Sequence, residues 1–225
     1  NPVIHLVIIQ IQRKLFYRIT LIFIDITIFC HLIQNYIPAL FNKFGTSHRI
    51  IKRRIFCHAY QHRRLMKLKL ASHPLLYVGQ CVPFYFCPRS VMLYMLNQAN
   101  QPGLKYRGGQ RPIVHLEADM YTVIDWADAN NRRWAFTLSN AGSWMFEDRA
   151  DLNKLDEIDW VAVQARDWRH CKDGKQAEFL IEQSFPWELV ERIGCCDNNI
   201  YRHILKSLSG ALHKPSIEIR NDWYY

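Results

Sequence analysis

No C-x-x-C pair occurs among the seven cysteines, at 30, 57, 81, 87, 171, 195 and 196, and no cysteine–histidine spacing matches a zinc site. An odd number with one adjacent pair reads as reduced thiols in a cytoplasmic protein. A chain of 225 residues buries enough core to fold without a disulfide scaffold. Long apolar runs are missing too. Residues 21–30 are apolar apart from Asp25 and Thr27, but His31, Gln34 and Asn35 then interrupt. A span needs ~20 mostly apolar residues, and an acid within it is expensive, so no membrane insertion is expected. Neither an early charged region nor a small-residue cleavage site marks a signal peptide. Gly174-Lys175 is not a phosphate-binding P-loop, because Arg169 stands where its first glycine belongs and Gln176 follows the lysine. G-x-G-x-x-G, H-E-x-x-H and G-x-S-x-G are all absent. There is no internal repeat and no low-complexity linker.

What is present divides at about residue 56. The chain carries +9 overall, which on its own suggests an anionic partner. Residues 1–56 hold eight Lys and Arg against one acid, Asp25, whereas residues 57–225 hold 21 against 19, a net of only +2. Residues 1–56 also contain fourteen Ile, one Gly and no Trp, while all seven Trp follow. Such a break reads as a divergent, frameshifted or decayed N-terminal segment, or as a hydrophobic subdomain of its own. Residues 57–225 read as one folded domain. Hydrophobic residues at 49% and charged residues at 22% exclude general disorder.

Along that domain, residues 60–70 read as a basic helix and 81–86 as an aromatic strand ended by Pro88. Ser90 is placed to cap an apolar helix through Met95 or Asn97. Residues 101–110 read as a loop and 112–116 as a strand. Asp119 caps a helix through Ala129. Residues 133–138 form a strand and 152–168 a helix, with Asp148, Asp151, Asp156 and Asp159 on a solvated face. Asp173-Gly174 is a turn. Strands at 176–183, 189–194 and 216–220 and a helix at 198–209 complete the pattern. Strands and helices mix without a βαβ period, so the expected class is α+β.

The strand 176–183 carries the strongest chemical signal. Alternation puts Ala177, Phe179 and Ile181 on one face, and Gln176, Glu178 and Leu180 on the other. A carboxylate beside Leu180 must face water or a ligand, so Glu178 is either an exposed structural residue or a catalytic one.

Five segments together are recognisable: CVPFYFCPRSVMLY at 81–94, YRGGQ at 106–110, RWAFTLSNAG at 133–142, GKQAEFL at 174–180 and DWYY at 222–225. In this order and spacing they resemble the DarT toxins of DarT–DarG toxin–antitoxin systems, from about residue 61 to 225. The resemblance implies a mixed, mainly antiparallel ADP-ribosyltransferase core with an NAD cleft and flanking helices. It implies transfer of ADP-ribose from NAD, as co-substrate and without a metal, to a base of single-stranded DNA, most naturally thymine. A DarG-like macrodomain antitoxin is the implied partner. Glu178 matches the family's catalytic glutamate, and Arg64 or its neighbour Arg63 the arginine that contacts NAD and supports catalysis. Tyr85, Arg89 and Met92 match positions lining the NAD and base site. Asn140 lies where some members place a pocket histidine. The family's Tyr-His-Ile-Thr-His stretch is met here by Tyr17-Arg18-Ile19-Thr20-Leu21, which keeps Thr20 and lacks both histidines. From residue type alone, Arg89 and Arg63/Arg64 read equally as surface cations, and Tyr85 and Met92 as core.

The loop at 164–175 interleaves Arg166, Arg169, Lys172 and Lys175 with Trp168, a pattern that suits a single strand by binding phosphate and stacking a base. It is equally the pattern of a mixed-charge surface loop with one buried Trp. Two other functions stay open: an impaired remnant that keeps DNA or antitoxin binding, and the same chemistry on RNA or protein.

Overall fold

A computed structural model describes residues 18–23, 67–98 and 106–225. Arg63, Arg64, residues 60–66 of the expected basic helix and residues 101–105 of the expected loop lie outside the described residues, and the side chain of Leu21 is not described.

Among the described residues eight strands make one sheet: β1 (Arg18–Phe23), β2 (Cys81–Tyr85), β3 (Val114–Asp119), β4 (Trp134–Thr137), β5 (Asp148–Arg149), β6 (Glu178–Glu182), β7 (Arg192–Cys195) and β8 (Ser216–Ile219). Their order is β5-β4-β6-β2-β1-β3-β7-β8. Every pairing is antiparallel except β7–β8. The helices are α1 (Val91–Gln98), α2 (Met120–Ala129), α3 (Trp160–Gln164), α4 (Lys172–Lys175) and α5 (Asn198–Ser207). The α+β expectation, with a mixed and mainly antiparallel core, is borne out.

Caps explain several boundaries. Asp119 accepts from the Thr122 amide at 3.0 Å and starts α2, which ends at Ala129 as expected. Ser90 Oγ accepts from the Leu93 amide at 3.2 Å and starts α1. Gly109, at φ 69°, supplies the left-handed residue that the Gly-Gly turn requires.

Four expectations fail. Residues 68–70 are not helical: Lys69 bridges Tyr77, and Leu68 and Leu70 are buried with Leu76, Val78 and Leu180. The helix at 152–168 is broken, because it holds two caps. Asp151 starts a 3-10 turn by accepting from Asn153 N, Ile158 is extended, and Asp159 starts α3 by accepting from Ala162 N. The Asp173-Gly174 turn lies within α4, where a Cβ on Gly174 would sit 2.9 Å from the Ala162 Cβ, so glycine is what lets α4 approach α3. Nor is Asp148 on a solvated helix face. It is buried on β5 and accepts from the Ala71 amide at 2.7 Å, the Ser72 amide at 3.0 Å and the Ser72 hydroxyl.

The two sheet faces differ in chemistry. Ile19, Phe84, Ala118, Phe136, Phe179 and Ile193 share one face by register and are buried in the main core. Phe84 meets the Phe185 and Phe179 rings edge-on at 4.8 and 6.3 Å. Across the opposite face, successive partners in one row are Glu178, Tyr85, Thr20, Glu117 and Arg192. Five polar or aromatic side chains thus cross five central strands side by side. The small core of Leu68, Leu76 and Leu180 lies at one end of this face. The C-terminal segment lies at the other, where Trp223 packs on Gly194 so closely that a Cβ there would collide with the indole.

His115 lies beneath that segment, fully buried. Tyr224 Oη donates to the Ile113 carbonyl at 2.7 Å, which leaves it to accept from His115 Nδ1 at 3.2 Å. Burial holds the ring neutral and lowers its pKa to about 3, the Pro88 carbonyl pulling weakly the other way. The unfolded chain protonates near 6.5, so it binds the extra proton and stability falls as pH drops from about 6.5 toward 3. Between pH 7 and pH 5 the expected loss from this group is about 2 kcal/mol. Urea unfolding at the two pH values is expected to show it, and His115→Phe to remove it. An unchanged difference in that variant would mean that the pH dependence comes from elsewhere.

Candidate active site

Glu178 opens β6, paired with Tyr85 of β2. It is only 2% exposed, so the solvent-facing alternative is set aside. β4 and the turn after it hold the residue. Thr137 Oγ1 accepts the Glu178 amide at 3.0 Å, and the Ala141 amide donates to Glu178 Oε1 at 3.2 Å. Asn140 steadies that turn: its Oδ1 accepts from the Gly142 amide at 2.7 Å and its Nδ2 donates to Gln176 Oε1 at 3.1 Å. A buried carboxylate with backbone N–H support is fixed in place and kept from bulk water. Sequence reasoning missed Thr137 and Ala141. Both lie in the RWAFTLSNAG segment, but nothing local shows that the segment turns back onto Glu178.

Tyr85 is half-buried between Glu178 and Thr20 in the row, and Thr20 is 2% exposed. Two inter-strand steps put Thr20 about 10 Å from Glu178, backbone to backbone. Arg18, two residues before Thr20 on the same strand, pairs with Glu191 and lies 3.6 Å from Glu117. Arg192 pairs with Glu117 and Glu218. These arginines are engaged in a network along one end of the row.

Arg89 follows β2 by four residues and directly precedes the Ser90 cap of α1. It is half-buried, and its guanidinium carbon lies 4.5 Å from the centroid of the Tyr225 ring. Met92, in the first turn of α1, packs against the main core. The structure therefore brings Glu178, Tyr85 and Thr20 into one row, and Arg89 and Met92 to the helix that follows β2.

The 164–175 loop is more tightly built than its composition suggests. Arg166 and Arg169 are exposed. Arg169 pairs with Asp167 at 2.6 Å, and that guanidinium lowers the Asp167 carboxyl to about 2. Trp168 is half-buried, donating from Nε1 to Tyr225 Oη at 3.0 Å and meeting the Tyr94 ring edge-on at 5.2 Å. Lys175 is not a surface cation. It is 3% exposed and donates to the Val163 carbonyl at 2.6 Å. Among the described residues no group of three His, Cys, Asp or Glu side chains is placed to hold a metal ion. No helix among them is long and apolar enough to cross a membrane.

A buried carboxylate beside a tyrosine on one mixed sheet, with an arginine just before a helix N-terminus, fits what the resemblance to ADP-ribosyltransferases implies. Comparison with known proteins agrees. Residues 42–225 match the family model described as DarT, ssDNA thymidine ADP-ribosyltransferase. A DNA ADP-ribosyl transferase of Thermus aquaticus is 39% identical over 146 residues, covering 64% of this chain and 63% of that relative's length. One from Thermus sp. strain 2.9 is 33% identical over 181 residues, covering 77% of this chain and 82% of the relative. The solved Thermus sp. 2.9 DarT in complex with ADP-ribosylated ssDNA superposes with a TM-score of 0.78 at 28% identity, over 93% of this chain and 97% of the other. The same protein in complex with NAD+ gives 0.68 at 26% identity, over 94% and 98%. The chain belongs to the DarT family of single-stranded-DNA thymidine ADP-ribosyltransferases.

Proposed function

We propose that this chain transfers ADP-ribose from NAD to N3 of thymine in single-stranded DNA. The observation that carries the reading is Glu178, buried, gripped by the Ala141 amide and set in a row with Tyr85 and Thr20. The bond between the nicotinamide nitrogen and ribose C1′ breaks, and nicotinamide leaves with the bonding pair. The ribose is then oxocarbenium-like, and the Glu178 carboxylate stabilises it electrostatically. Thymine N3 attacks C1′ and its proton passes to the same carboxylate. Tyr85 and Met92 wall the pocket, and Thr20 anchors the nicotinamide side. Arg89 and the amides opening α1 hold the pyrophosphate. Arg64, with Arg63 beside it, supports catalysis by its match to the family. Asn140 borders the base, and Arg166, Trp168 and Arg169 hold the strand.

The same reading makes the chain the toxin partner of a DarG-like macrodomain antitoxin, acting in the cytoplasm. It assigns the transferase domain to 57–225 and a divergent segment to 1–56, from which 18–23 supply a central strand. One observation favours a second reading, an impaired enzyme that keeps DNA or antitoxin binding. Arg18 and Leu21 stand where the family carries histidines, and Arg18 is tied to Glu117 and Glu191. Incubation with NAD and a thymine-containing oligonucleotide, followed by mass spectrometry, is expected to give an ADP-ribose adduct on thymine. Oligonucleotide binding without any adduct selects the second reading, and an adduct on protein or RNA alone overturns both.

A further inference from the structure

Arg89 and the 164–175 loop are joined by one side chain that neither reading has used, Tyr225. Its backbone is clamped by Gln110, whose Oε1 accepts the Tyr225 amide at 2.9 Å and whose Nε2 donates to the Tyr225 carbonyl. Its hydroxyl accepts from Trp168 Nε1 at 3.0 Å and donates toward the carbonyls of Arg89 and Ser90, at 3.0 and 3.2 Å. Its ring lies against the Arg89 guanidinium and meets Tyr94 edge-on at 5.2 Å. Arg89 Nε is buried with no hydrogen-bond partner among the described residues. An aromatic face attracts a guanidinium most when water is excluded, so the Tyr225 ring sets the plane of the Arg89 head group. The far end of the loop is anchored separately, by buried Lys175 donating to the Val163 carbonyl. The Trp168 region is thus the part that depends on Tyr225.

We propose that Tyr225 is a positioning residue with two separable actions: its ring aims Arg89, and its hydroxyl pins the Trp168 loop to the Arg89–Ser90 backbone. What Arg89 and the loop bind rests on the ADP-ribosyltransferase reading above. The placement of the two does not. Tyr225→Phe keeps the ring and loses the hydroxyl, and Tyr225→Leu loses both. In a nitrogen-15 arginine side-chain spectrum, the Arg89 Hε resonance, assigned by its loss in Arg89→Lys, is shielded by the ring. The shielding persists in Tyr225→Phe and disappears in Tyr225→Leu. ADP-ribose affinity by calorimetry stays within about twofold in the Phe variant and falls about tenfold in the Leu variant. The ratio of single-stranded DNA labelling to NAD hydrolysis falls about tenfold in the Phe variant, where the loop is released. Should Tyr225→Leu not fold, Gln110→Ala frees the clamp with residue 225 intact and is expected to cost the same shielding. An Arg89 resonance indifferent to Tyr225→Leu and Gln110→Ala overturns the first action. An unchanged labelling ratio in Tyr225→Phe overturns the second. Failure of the unsubstituted chain to bind ADP-ribose counts against the ADP-ribosyltransferase reading, and the Arg89 resonance still decides the placement.

Discussion

Glu178→Gln is expected to abolish ADP-ribose transfer to DNA and leave the fold intact. The substitution removes a charge and little else. The Gln side-chain oxygen can still accept from the Ala141 amide, which now donates to Glu178 Oε1 at 3.2 Å. The backbone stays in the β2 ladder through its pairing with Tyr85, and its amide keeps the bond to the Thr137 hydroxyl. In the proposed mechanism the carboxylate offsets the positive charge that develops at ribose C1′ and accepts a proton from the attacking nitrogen. The first role contributes about 10²–10³ in rate when one preorganised group is lost, and the second typically 10²–10⁴. Because one group serves both, the combined loss exceeds a thousandfold. A buried carboxylate is also costly to the fold, so the melting temperature is expected to stay level or rise, as active-site residues often trade stability for function. Glu178→Ala leaves the Ala141 amide without this acceptor and is the less clean variant. Adduct formation by Glu178→Gln at the unsubstituted rate, read by mass spectrometry, would remove Glu178 from the mechanism.

The parts of this site that were legible in the sequence are those whose physics is local. Alternation on β6 alone assigns Glu178 to the face opposite Phe179, whatever the partner strand. Asp119 and Ser90 announced their helices because a cap bonds within three residues. Local signals also mislead where they compete: Asp151 and Asp159 have the pattern of a charged helix face, but Asp151 starts a 3-10 turn and Asp159 starts α3. Asp148 looked like a member of the same patch, yet its partners Ala71 and Ser72 lie 77 and 76 residues away. The row from Glu178 to Thr20 could not be read from spacing, because it depends on strand order in the sheet. The contact between Tyr225 and Arg89, 136 residues apart, left no trace beyond the quoted family segments.

Single-stranded DNA is expected to be labelled at least about a hundredfold faster than a blunt duplex of the same sequence. Thymine N3 is the central donor of its base pair and faces neither groove. An enzyme must therefore act on unpaired DNA or extrude the base, at a cost of a few kcal/mol, and each 1.4 kcal/mol is about tenfold in rate. Offsetting that cost requires duplex contacts which this domain is poorly equipped to make. Residues 57–225 carry only +2, and phosphate neutralisation dominates duplex affinity. The exposed cations of the 164–175 loop suit a flexible strand better. Arg166 is exposed, and Arg169, though paired with Asp167, remains 78% exposed at its side chain. Exposed pairs of this kind are weak, so a phosphate can draw Arg169 away. Arg166→Ala and Arg169→Ala are expected to slow DNA labelling more than NAD hydrolysis and to flatten its salt dependence, since each removes about one phosphate contact. Equal labelling of duplex and single strand, or any labelling of a thymine-free oligonucleotide at the thymine rate, would show that the acceptor is a different group.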